Sequence, residues 1–144
     1  MLSATESSPL NVLLVEDNPA DVLLIQEALS ARFPVSHISV HQDGEQTMQW
    51  IERLDRKEVS RPDVILLDLN LPRVTGEDVL WRLSLSPLCR GVPIVVVTSS
   101  DSPRDRIAAA GMGASRYFRK PADYDEFMRL GDLVKGILAH GGTW

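Results

Sequence analysis

Residues 63–72 read DVILLDLNLP. Four apolar side chains, Val64 to Leu67, run straight into an acid, Asp68. An apolar run that short, without polar alternation, marks a strand covered on both faces. It also carries a carboxylate to the tip of that strand, with a proline, Pro72, soon after. The neighbouring elements must explain both features.

Two other runs behave alike. LNVLLVED (10–17) is an apolar strand ending in acids, and VPIVVVTSS (92–100) is another buried strand. VSHISV (35–40) and SRYFRKP (115–121) alternate instead, which predicts edge strands with one wet face. Between the strands lie helical patterns at 18–33, 43–55, 76–86, 102–111 and 123–139. Asn18 is placed to cap the first, Pro19 suits its first turn, and Asp21 favours its positive end. Asp43 is placed to cap the second. Five strands alternating with five helices predict an α/β fold, a doubly wound parallel sheet with helices on both faces. The expected organisation is an N-terminal extension (1–9), one domain (10–140) and a short tail (141–144), with no output domain.

A chain of 144 residues is one domain's worth. Its net charge of −5 argues against a nucleic-acid surface. The single cysteine, Cys89, excludes an intrachain disulfide and a multi-cysteine zinc site, and is expected to be inert. No apolar run reaches the roughly 18 residues of a membrane span, and the N-terminus lacks a signal-peptide pattern. A cytoplasmic protein is the expectation.

Strand-to-helix connections in such sheets lie at the carboxyl ends of the strands, where ligands bind. Glu16 and Asp17 follow the first strand there, Asp68 ends the third, Thr98 and Ser99 the fourth, and Lys120 the fifth. Three carboxylates on one rim repel each other, and a divalent cation relieves that. Mg²⁺, a hard ion with oxygen ligands, suits the set. A lysine and a threonine opposite the metal suit an anion with several oxygens, such as a phosphoryl group. Asp68 is the carboxylate best placed to become an aspartyl phosphate.

These motifs (VED, DGE, LLDLNLPRVTG, VVVTSS and FRKP) together resemble the response-regulator receiver domain of two-component signalling, from about residue 10 to 139. The resemblance implies a flavodoxin-like strand order, 2-1-3-4-5. It implies a protein that is not an enzyme in the ordinary sense but takes a phosphoryl group from a sensor histidine kinase onto Asp68. Glu16, Asp17, Asp68 and the backbone carbonyl of Asn70 would bind Mg²⁺, with Mn²⁺ as a substitute. Thr98 and Lys120 would contact phosphoryl oxygens, and Thr98 with Tyr117 would switch the surface of the fourth helix, fifth strand and fifth helix. It also implies a cis peptide at Lys120–Pro121. VEDNPADVLLIQEAL and the long last helix look like receivers that serve phytochrome-type kinases, and imply a homodimer through that surface or through the last helix.

Taken singly, each residue has a plainer reading. Glu16 and Asp17 are ordinary helix-start acids, Lys120 a surface charge and Tyr117 edge-strand packing. His37 and His41 are expected to face solvent, and Trp50 and Trp81 to pack against neighbours; Trp144 could cover a dimer contact. The rival function is a phosphatase or phosphotransferase that forms an aspartyl phosphate. Such enzymes use a second acid two residues after the nucleophile, and here that position is Asn70. A flavin carrier would need a phosphate loop rich in Ser, Thr and Gly in place of EDNPAD.

Overall fold

Apolar runs without alternation form the middle of the sheet. In the computed structural model, which describes residues 9–140, β1 (Leu10–Val15), β3 (Val64–Leu67) and β4 (Ile94–Thr98) are the inner strands. The alternating stretches, β2 (Ser36–His41) and β5 (Arg116–Arg119), form the edges. All neighbours pair in parallel, in the order β2-β1-β3-β4-β5. Residues 1–8 of the expected N-terminal extension and the tail 141–144, with Trp144, lie outside the described residues.

Successive strand residues point to opposite faces, so the sheet divides the core in two. Val12, Leu14, Leu66 and Val97 pack against α1 (Pro19–Arg32) and α5 (Tyr124–Ala139). Leu13, Leu67 and Val96 pack against α2 (Gly44–Asp55), α3 (Gly76–Ser84) and α4 (Pro103–Gly111). The starts of these helices are fixed locally. The Asn18 side chain accepts from the N–H groups of Ala20 and Asp21, and Asp43 accepts from Gln46. Thr75 and Asp78 bond reciprocally as a capping box. At Gly131 a side chain would meet the Ala28 carbonyl oxygen at 2.2 Å, so a hydrogen there lets α1 and α5 touch. No helix among the described residues is long and apolar enough to cross a membrane.

Four details differ from the sequence reading. The third helix stops at Ser84 rather than residue 86, and a short 3-10 turn, Pro87–Cys89, follows. Pro87 accounts for this, because a proline disfavours helical backbone in the residue before it; Ser86 is extended, at φ −86° and ψ 119°. Trp81 is 58% exposed, because α3 turns Val79, Leu80 and Leu83 inward and leaves the indole outside. The Lys120–Pro121 bond is trans, the form a prolyl amide prefers by about 0.5–1 kcal/mol where its surroundings do not select cis.

The fourth is His41, which is buried rather than solvent-facing, unlike the exposed His37. Helix α2 closes over the end of β2. There the His41 ring lies 3.0 Å from the Thr47 hydroxyl and edge-on to Trp50, with centroids 6.1 Å apart. Burial lowers the imidazole pKa below its ordinary 6.5, against an opposing pull from Asp43. The unfolded chain therefore binds more protons than the folded one as pH falls below about 6.5. This residue's contribution to stability should decline from that point downward, by at most about 1.4 kcal/mol per pH unit. Chemical denaturation of wild type and His41→Gln between about pH 5 and 7 measures it. The variant should give the flatter profile, and equal slopes would exonerate His41.

Candidate functional site

The carboxyl ends of β1, β3, β4 and β5 converge on one rim. Chain connections leave β1 toward β2 on one side and β3 toward β4 on the other, so a crevice opens between them. Asp68 stands at its floor, directly after β3, and is 4% exposed. Its Oδ1 accepts the Asn70 N–H at 3.0 Å, and its Oδ2 accepts from Lys120 Nζ at 3.1 Å. The loop that carries Asp68 is held against α3. Gly76 donates its N–H to the Leu69 carbonyl at 3.1 Å, and a side chain at Gly76 would meet the Asp68 carbonyl oxygen at 2.1 Å. Only a glycine lets the helix start this near the acid.

Glu16 and Asp17 reach the same point from the end of β1. One oxygen from each of Glu16, Asp17 and Asp68 fits within 4.8 Å. Glu16 is buried and Asp17 exposed, so the group opens to solvent on one side. Glu16 Oε2 accepts the Asn18 N–H at 3.1 Å, whereas the buried Oε1 has no aligned hydrogen-bond donor among the described residues. Burial pushes the Glu16 carboxyl up to about 7; contact with Lys120 pulls it down, and the charge of Asp68 pushes it further up. A buried oxygen without an aligned donor and crowded carboxylates fit a divalent cation bound through oxygen.

Lys120 follows β5, and its side chain is 9% exposed. Nζ lies 2.8 Å from Glu16 and 2.8 Å from Asp21, in addition to Asp68. Burial works against the ammonium, but contacts with Asp21 and Glu16 and the charge of Asp68 outweigh it and hold the pKa above the ordinary lysine value. Lys120 is therefore a fixed cation beside Asp68. Thr98 is fully buried at the end of β4; its hydroxyl accepts from Asn70 Nδ2 at 3.3 Å and from the Ser100 N–H at 3.4 Å.

The expected residues thus meet, with two qualifications of role. Tyr117 stands outside the acid cluster, and its hydroxyl donates to the Ser100 carbonyl at 3.0 Å. It is joined to Thr98 through the backbone N–H and carbonyl of Ser100, and Arg106 covers its ring at 4.4 Å. Asp21 joins the site although its sequence position suggests only an acid at a helix start. Its place in the first turn of α1, close in sequence to Glu16 and Asp17, was the available signal.

Comparison with known proteins agrees with this geometry. The family model described as the response regulator receiver domain matches residues 12–130. Response regulator Rcp1 of Synechocystis sp. is 33% identical over 137 residues, spanning 94% of this chain and 91% of that protein. The solved structure of the phosphorylated cyanobacterial phytochrome response regulator RcpA has a TM-score of 0.81 at 30% identity, covering 90% of this chain and 94% of that one. The Mn²⁺-bound form of Rcp1 has a TM-score of 0.76 at 32% identity, covering 91% and 93%. A carboxylate at the tip of the central strand of a parallel 2-1-3-4-5 sheet, paired acids and a buried lysine all fall within the matched span, and the chain belongs to the response-regulator receiver family.

Proposed function

We propose that this receiver takes a phosphoryl group from a sensor histidine kinase onto Asp68, and that the kinase is of the phytochrome type. One observation carries the reading: Asp68 Oδ2 lies 3.1 Å from Lys120 Nζ, within the group of acids that fits a divalent cation. The phytochrome assignment draws on the similarity to the cyanobacterial phytochrome response regulator RcpA, 94% of which this chain covers.

In the transfer, a carboxylate oxygen of Asp68 attacks phosphorus in line. The P–N bond to the kinase histidine breaks, its electron pair stays on the imidazole, and a P–O bond to Asp68 forms. Bound Mg²⁺, held by Glu16, Asp17, Asp68 and the Asn70 carbonyl, would neutralise developing charge on the phosphoryl oxygens. Lys120 supplies a fixed positive charge beside Asp68, and Asn70 N–H holds its other oxygen in place. The chain assists its own phosphorylation and dephosphorylation only in this sense. Afterwards the Thr98 hydroxyl turns to a phosphoryl oxygen and releases the Ser100 N–H. The Ser100–Tyr117 bond then loosens, and the surface of α4, β5 and α5 shifts between two conformers. A homodimer through that surface is part of the reading; Ile107 on α4 is 73% exposed.

Incubation with acetyl phosphate and Mg²⁺ tests the assignment. Mass spectrometry should find one added phosphoryl group on the peptide that contains Asp68. Hydroxylamine should remove it, as for any acyl phosphate, and a chelator should prevent its formation. Labelling of another residue, or labelling indifferent to chelation, would reject the assignment. A phytochrome-type kinase should outpace an unrelated histidine kinase as donor.

A further inference from the structure

An ammonium has three hydrogens to donate, and three carboxylates surround that of Lys120. The three contacts are not equivalent. Those to Asp21 and Asp68 are aligned hydrogen bonds, at 2.8 Å and 3.1 Å. Glu16 Oε1 is as near, at 2.8 Å, yet no donor is aligned on it. Glu16 and Asp68 belong to the acid cluster, while Asp21 approaches from the first turn of α1. The Asn18 side chain accepts the Asp21 N–H at 3.2 Å, which fixes the backbone there. An acid outside the cluster thus takes a hydrogen that would otherwise fall on the cluster.

We propose that Asp21 is a positioning residue that draws the Lys120 ammonium toward α1 and so weakens its hold on the oxygens of Glu16 and Asp68 that a divalent cation needs. The proposal rests on the receiver reading and adds a residue to it. An ammonium and Mg²⁺ compete for the same carboxylate oxygens. Without Asp21 the nearest partners left to Lys120 are Glu16 and Asp68, whose side chains are only 1% and 5% exposed. Pairing is stronger in such surroundings, and an arriving cation must displace it. With Asp21 in place the ammonium keeps a partner when the cation takes the other two. The local dielectric therefore favours a lysine tethered from outside the cluster.

Calorimetric titration of the metal-free protein with Mg²⁺ tests this. Asp21→Asn should weaken Mg²⁺ binding about five- to tenfold, within the range of direct couplings between neighbours. Asp21→Glu should recover most of the loss. In a Lys120→Met background, where no ammonium remains to be drawn aside, Asp21→Asn should change the affinity less than about twofold. In acetyl phosphate labelling, Asp21→Asn should raise the half-saturating Mg²⁺ concentration. An equal loss in both backgrounds would overturn the proposal, because the field of one more acid would then suffice. An unchanged affinity in the Asp21→Asn single variant would overturn it too. Either result leaves the receiver reading standing, whereas absence of Mg²⁺ binding by the wild type would overturn both.

Discussion

Asp68→Asn should abolish phosphoryl labelling by acetyl phosphate or a kinase, while the protein stays folded. The amide is the same size as the carboxylate and can still accept the Asn70 N–H that Oδ1 accepts at 3.0 Å. It offers phosphorus no anionic oxygen, whereas the Asp68 carboxylate stands at the tip of the central strand with one oxygen on a backbone N–H and the other against a buried ammonium. Positioning of this kind supplies much of the rate in phosphoryl transfer. Misfolding is separable from lost chemistry. Removing one of several crowded like charges relieves repulsion, so without metal the variant should match wild type or exceed it in denaturant resistance. Added Mg²⁺ should stabilise wild type more than the variant, because a ligand that binds only the folded state raises stability by mass action. Residual labelling of Asp68→Asn at the wild-type rate would move the phosphoacceptor elsewhere.

Lys120→Met should slow phosphorylation of Asp68 by about 10²- to 10³-fold, the usual cost of removing one preorganised charge or donor from a developing oxyanion. The methionine keeps most of the apolar stem in place. It leaves Glu16, Asp21 and Asp68 without the ammonium that all three touch. Removing one partner of a buried ion cluster costs about 3 kcal/mol or more, because the charges left behind remain desolvated. In this variant Mg²⁺ should restore a larger share of the lost stability than it adds to wild type, since it replaces part of the missing charge. Thermal melts with and without Mg²⁺ measure this; a variant as stable as wild type in metal-free buffer would contradict the geometry.

Both predictions use residues that stand out in the amino-acid sequence. Asp68, Thr98 and Lys120 are each the polar residue at the end of a strand-like run. Once the elements are placed, the topology of a doubly wound sheet carries all three to one rim. The roles of Tyr117 and Asp21 are less visible there. Tyr117 reads as an edge-strand aromatic, and its link to Thr98 through the Ser100 peptide depends on the path of one loop. Asp21 reads as a residue that suits a helix dipole, and its bond to Lys120 spans 99 positions of sequence. His41 and Trp81 went the other way from expectation for one reason. Alternation along a strand or helix names the faces, but the neighbouring element decides how far each face is covered.

What depends on short-range periodicity and local bonding was legible in the order of residues. That includes the buried strands, the edge strands, the caps at Asn18 and Asp43, and the gathering of acids, threonine and lysine at one end of the sheet. Long-range packing settled which carboxylates share the Lys120 ammonium, which Glu16 oxygen faces it, and how near α3 and α5 approach their neighbours at Gly76 and Gly131. Those outcomes turn on distances of a few tenths of an ångström between segments far apart in the chain. Packing sets such distances, and no local pattern encodes them.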